Sequence, residues 1–140
     1  MHIARLIALS RDWESEQSCR GYRENTAEDL DGRRIFLAEE AGAIVGYLFG
    51  LTECAKEKSS VLDRGEAYFE IEELYVIPSR RSEGIGRRLF ALAEEEARRA
   101  GLKQLMLSTA TRDWKRVLHF YLEELDMDFW SARLFKRLEK

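Results

Sequence analysis

The chain has 140 residues, of which 45% are hydrophobic, 35% charged and 11% aromatic, and its net charge is −3. A domain of this size buries about 68% of its unfolded surface, so it needs neither a disulfide nor a metal staple. The aromatic and aliphatic content excludes a mainly disordered chain, no apolar run approaches the roughly 18 residues of a membrane span, and the acidic balance disfavours duplex DNA as a partner.

The opening residues Met1-His2-Ile3-Ala4-Arg5 reach charge too early for a secretory leader. Cys19 and Cys54 have no metal-ligand spacing and His2 and His119 are the only histidines, so a zinc site is not expected and a reducing cytoplasm is the expected compartment. With one proline, Pro78, and no linker-like stretch, residues 1–140 read as a single domain.

Ile3, Leu6, Ile7 and Leu9 share a face at helical spacing, and the polar stretch 15–30 also reads as helix. Strand-like residues 34–39, the turn Ala41-Gly42 and the apolar run 44–51 form a hairpin signal. An acidic loop spans 52–65, and 67–77 is the strongest strand, stopped by Pro78. A helix over 86–100 carries Leu89, Leu92, Ala93, Ala97 and Ala100 on one stripe, with Arg98 and Arg99 at its end and Gly101 as its stop. A strand over 102–108, a helix over 115–125 and a closing strand over 128–138 complete the pattern. Strands interspersed with helices predict an α/β or α+β sheet with helices packed on it.

The chemistry concentrates between Glu72 and Leu89. A strand stops at Pro78 and a loop containing Gly84 and Gly86 opens a helix. Amides at such a helix start lack helical partners and face positive dipole potential, which suits an anion. Arg80, Arg81, Arg87 and Arg88 against Glu83 give +3 in eleven residues. Arginines in a first helical turn oppose the dipole, and a polyphosphate ligand would reverse that penalty. The Walker pattern is absent, and position 89 is Leu where a dinucleotide fold needs a third glycine.

The spacing Arg81-x-x-Gly84-x-Gly86 after Leu74-Tyr75-Val76-Ile77-Pro78 resembles the acetyl-CoA motif of the GNAT N-acetyltransferase superfamily. Phe120-Tyr121-Leu122-Glu123-Glu124-Leu125 is similar to that family's F-Y-x-x-x-G-F helix, and the likeness covers about 34–138. It implies a mixed, mostly antiparallel twisted sheet flanked by helices, here with the family's first strand missing because the chain opens on a helix. It implies acetyl-CoA as co-substrate and no metal. Backbone of Leu74, Tyr75 and Val76 would pair with the pantetheine arm. Amides of Ser82, Glu83, Gly84, Ile85, Gly86 and Arg87 would hold the pyrophosphate, flanked by Arg81. Tyr121 would protonate the leaving thiolate. Trp114 stands where many members carry an asparagine for the pantetheine, so either Asp113 substitutes or that contact is lost.

Acetylating an amine needs a base, because a free alkylamine near pKa 10.4 is mostly protonated at neutral pH. Strand alternation puts Glu70 and Glu72 on one face and Glu73 on the other. The local pattern Ile71-Glu72-Glu73-Leu74-Tyr75-Val76 resembles the diamine acetyltransferase branch, which implies Glu72 as base and Glu73 as a substrate contact. The stretch 53–73 carries −4 net, which steers cationic amines if it lines the acceptor side. The expected function is acetyl transfer to a primary amine, with a cationic small molecule as acceptor. A protein lysine or N-terminal amine, or an acetyl-CoA-binding module without turnover, stand as alternatives. No nucleic-acid or membrane partner is expected; a homodimer is the family habit.

Overall fold

The computed structural model describes residues 2–139. Helix α1 (His2–Glu16) buries Leu6 and Leu9 and ends where Gln17 takes a left-handed φ of 54°. The expected helix over 15–30 does not form. Beyond the last two residues of α1, only α2 (Ala27–Leu30) is helical there, opened by a capping box in which Thr26 and Asp29 exchange bonds. The rest of that stretch is rich in side chains that bond to one another or to backbone, which offers the chain an alternative to helix.

The predicted hairpin is present as β1 (Arg34–Glu40) and β2 (Ala43–Cys54), with Ala41 and Gly42 both at positive φ in the turn. Strand β3 (Ala67–Val76) pairs antiparallel with β2, and α3 (Ile85–Arg99) crosses back to β4 (Leu105–Leu107), which pairs parallel with β3. The sheet order is β1-β2-β3-β4. This is the mixed, mostly antiparallel sheet read from the sequence.

Each face of the sheet carries its own core. One face packs Leu48, Phe69 and Ile71 against Leu89, Phe90, Ala93 and Ala97 of α3. The other packs Ile44, Tyr47, Phe49 and Tyr75 against Leu6 and Leu9 of α1 and Leu30 of α2.

One irregularity sets the site. The β2–β3 register runs Phe49↔Glu73 and then Gly50↔Ile71, so Glu72 is an extra residue, a β-bulge. Before it, Phe69 and Ile71 face α3; after it, Leu74 does, while Glu73 and Tyr75 turn to the α1 side. The alternation expected from sequence therefore fails here. Glu73 shares a face with Glu72, and both line one pocket. Gly50 makes the bulge possible: a Cβ there would lie 2.1 Å from the Glu70 carbonyl oxygen.

Two further expectations are corrected. The expected helix over 115–125 is α4 (Trp114–Leu118), continued by a π-helical segment (His119–Glu124). The expected closing strand over 128–138 is not formed, and Phe129, Trp130, Leu134, Phe135 and Leu138 are exposed. Its apolar residues include two neighbouring pairs, 129/130 and 134/135, which strand alternation would put on opposite faces. A half-buried strand needs period two.

Gly50→Ala should lower stability by roughly 2 kcal/mol, the usual cost of overpacking, because the obstructing atom is backbone. Urea unfolding followed by circular dichroism checks this; an unchanged midpoint would mean the bulge does not depend on Gly50.

Candidate active site

The bulge also frees an edge. Strand β3 pairs with β4 only through Phe69, Glu70 and Ile71, then runs on to Val76. The Ile77 amide donates to Val45 O at 2.9 Å, so by alternation the backbone of Tyr75 and Glu73 faces β2. Leu74 and Val76 then present theirs to the opposite, opened edge. Val76 O accepts Arg81 Nε at 2.8 Å, as that orientation requires. An extended amide chain could add there like a further strand.

That edge leads into the glycine loop. A 3-10 turn (Pro78–Arg80) precedes it, and Ser82 and Gly84 adopt left-handed φ values of 66° and 86°. Gly84 caps α3 with no side-chain cap. The first helical bond is Arg88 N–H to Gly84 O at 3.0 Å, so the amides of 84–87 point out of the helix end. A Cβ at Gly84 would meet open space, so φ alone demands glycine there, whereas at Gly86 it would stand 3.3 Å from Phe120 Cζ. Gly86 thus serves the packing of the Tyr121 segment against α3. A nest of outward amides over a bare helix start fits a pyrophosphate.

Three of the loop's arginines are engaged by the protein. Arg80 pairs with Glu40 and Glu83. Arg87 donates to Glu124 O at 2.9 Å and to Glu124 Oε1 at 3.1 Å. Arg81, expected to flank the pyrophosphate, instead holds both carboxylate oxygens of Glu16, at 3.2 and 3.0 Å. Arg88 is exposed and makes no ion pair among the described residues.

Tyr121 sits in the π-helical segment, partly buried. Burial, then the neighbouring Cys19, pushes its hydroxyl up to about 12, so it holds its proton at neutral pH. Trp114 is 58% exposed at the start of α4. Asp113 is engaged by Arg116 at 2.6 Å.

On the α1 side, a cavity of about 250 Å³ is lined by Tyr22, Asn25, Arg33, Phe49, Glu72 and Glu73 among others. The two glutamates differ sharply. Glu72 is clamped by Arg33, Nε to Oε1 at 2.7 Å and Nη2 to Oε2 at 3.2 Å. Among the described residues Glu73 makes no ion pair, and it is held by neutral donors: Tyr22 Oη and Tyr47 Oη at 2.9 Å and Asn25 Nδ2 at 3.0 Å. Burial pushes its carboxyl above the ordinary glutamate range; the three hydrogen bonds pull against this, and the Glu72 charge adds to it. Glu70 is raised too, by burial and by Glu53 and Glu72. Among the described residues no group of three His, Cys, Asp or Glu is placed to hold a metal ion. Tyr22, Asn25, Tyr47 and Arg33 were not singled out from sequence; each is an isolated polar residue there, and only the fold gathers them.

Residues 3–127 match the family model described as the acetyltransferase (GNAT) family. The chain belongs to that family. It is 33% identical over 84 residues to an IAA acetyltransferase of Azospirillum brasilense, a match covering 60% of this chain and 48% of the relative. It is 50% identical over 56 residues to an aminoalkylphosphonate N-acetyltransferase of Salmonella typhimurium strain LT2, covering 39% of this chain and 35% of the relative. The matches thus span half or less of these curated relatives. In fold, this GNAT chain is similar to a predicted acetyltransferase of Clostridium acetobutylicum solved with acetyl-CoA, at TM-score 0.68 and 15% identity over 97% of this chain and 90% of that one. No helix among the described residues is long and apolar enough to cross a membrane.

The raised Glu73 carboxyl has a stability consequence. Above the ordinary glutamate value of 4.5 the unfolded chain gives up this proton while the fold still holds it. Stability therefore falls as pH rises from that value through the raised one. Glu73→Gln should flatten this decline in urea unfolding between pH 4 and 7; an identical slope in both proteins would contradict the assigned shift.

Proposed function

We propose that this chain is an N-acetyltransferase that moves an acetyl group from acetyl-CoA to a primary amine on a small molecule. The observation that carries this reading is the opened β3 edge running into a helix start with outward amides, beside a pocket whose wall carries a carboxylate held only by neutral hydrogen-bond donors. Acetyl-CoA would supply an acetyl group activated as a thioester. Leu74 and Val76 would align its amide arm, without the expected Tyr75, whose backbone faces β2, and the amides of Ser82, Glu83, Gly84, Ile85, Gly86 and Arg87 would hold its phosphates.

The chain's own residues then have defined tasks. Glu73 attracts the ammonium form of the acceptor and takes its proton, directly or through water, leaving a nucleophilic nitrogen. Its raised carboxyl makes it a stronger base than an exposed glutamate. As the nitrogen bonds to the acetyl carbon and the carbon–sulfur bond breaks, the nitrogen sheds its second proton to water, Tyr121 donates its own to the departing sulfur, and both Tyr121 and Glu73 are reset by proton exchange with solvent. Glu73 therefore replaces Glu72 as the proposed base. Glu72 is committed to Arg33, and its part is to hold that arginine at the pocket wall.

Amine acceptors are named for the Salmonella relative, and a cavity of about 250 Å³ suits a compact amine better than a peptide.

Calorimetric titration with acetyl-CoA, against ATP and NAD controls, tests the co-substrate; binding of all three alike would reduce the loop to a general phosphate site. Release of free thiol is then followed with spermidine, kanamycin, 2-aminoethylphosphonate and phenethylamine. With a turned-over amine, Glu73→Gln and Tyr121→Phe should each cut kcat by about 10²-fold, the scale of lost acid–base catalysis, and Glu72→Gln by much less. Full activity in both of the first two variants would remove these roles. Rates of the unsubstituted protein should rise with pH through the Glu73 carboxyl, and Glu73→Gln should lose that rise.

A further inference from the structure

Arg81 lies inside the phosphate-loop motif, yet its side chain points away from it. Its guanidinium reaches both carboxylate oxygens of Glu16 through Nη2, donates to Val76 O through Nε and lies 5.4 Å over the Tyr75 ring. Glu16 is the last residue of α1 and also accepts the Tyr75 hydroxyl. Immediately after it the chain turns at Gln17 and pairs with the segment that follows β4. Arg20 N–H donates to Ala110 O at 2.9 Å, Arg112 N–H to Ser18 O at 2.8 Å, and Cys19 faces Thr111.

Residues 17–21 are therefore a strap, anchored at its start by the hold of Arg81, in the loop after β3, on Glu16 and along its length by the segment beyond β4. Its continuation is Tyr22, which bonds Glu73. Trp13 joins the parts: it stacks on Tyr75 at 5.0 Å, lies 4.5 Å from the Tyr22 ring and donates to Ser18 Oγ at 2.9 Å.

We infer that Arg81 and Glu16 form a positioning pair that fixes the strap and, through Tyr22, aims Glu73 into the pocket, so that this motif arginine shapes the acceptor side rather than gripping the phosphates. A guanidinium held at Nη2 by a carboxylate and at Nε by a carbonyl is fixed in orientation as well as distance, which a point charge cannot be. The inference rests on the proposed function only in calling that pocket the acceptor's.

The test uses the full chain with Cys54→Ser, Trp114→Phe and Trp130→Phe. All three replaced side chains are exposed or on the surface, and Cys19 and Trp13 remain as the sole thiol and tryptophan. Iodoacetamide alkylation of Cys19 reads the strap, Trp13 emission reads the stacked wall, and calorimetry reads acetyl-CoA. Glu16→Gln and Arg81→Gln should each speed alkylation about tenfold, within the usual range for coupled sites, and shift Trp13 emission to the red. Glu16→Gln should leave the acetyl-CoA Kd within about twofold. Arg81→Lys, which keeps the charge and loses the two-armed hold on Glu16 and Val76 O, should recover part of both strap signals. Should a variant not fold, Tyr75→Phe, which removes one partner of Glu16, must still raise alkylation in the same direction. Unchanged strap signals in these variants would overturn the inference. So would an acetyl-CoA Kd raised about tenfold by Arg81→Gln with the strap signals intact, since Arg81 would then read phosphate. Failure of the acetyltransferase reading would show differently, as no acetyl-CoA binding before any change at 16 or 81, with the strap signals still readable.

Discussion

The bulge at Glu72 is the constraint on which the rest depends. One extra residue in β3 reverses which side chains face α3 and which face α1. It brings Glu72 and Glu73 to one face, and beyond it the backbone of Leu74 and Val76 lies on the edge that β4 has left. A regular strand would bury one of those glutamates against the apolar face of α3, where an ionised carboxylate is costly. The same irregularity thus produces both halves of the site: an open edge for an amide arm and a carboxylate aimed at an acceptor.

The charges around that carboxylate are arranged by subtraction. Arg33 is neutralised by Glu72 and Arg23 by Asp29, each through a two-point contact. What remains on the pocket wall is Glu73, supported by donors that carry no charge. Burial keeps the Tyr22 and Tyr47 hydroxyls protonated, so both stay donors as the carboxyl changes state. Such a group can bind a cation and also accept a proton from it, whereas a carboxylate already forked on an arginine does neither readily.

The hairpin, β3, α3 and the glycine loop were legible because each is written in local chemistry: turn residues at 41–42, a proline stop, a helical stripe, two glycines at a helix start. The acceptor side was not. Counting alternate residues along β3 assumes an unbroken ladder, and the residue that breaks it, Gly50, lies on another strand. Tyr22, Asn25 and Tyr47 come from two separate parts of the chain and meet only around a buried acid. Arg81 was legible as part of a motif, but the direction of its side chain depends on Glu16, 65 positions away. The tail failed for a simpler reason, since density of apolar residues without their period does not make a strand.

The π-helical turn that carries Tyr121 has a consequence for how this helix can vary. Such a turn accommodates one residue more than an α-helix would over the same rise, so the segment His119–Glu124 behaves as a splice. Removing a single residue upstream of Tyr121 would let the helix become regular and improve its internal bonding. It would also re-aim Tyr121, which lies inside the widened turn, away from Cys19. The irregular winding therefore acts as an indexing device, and insertions or deletions in this short helix face a barrier of angle where length alone would pose none.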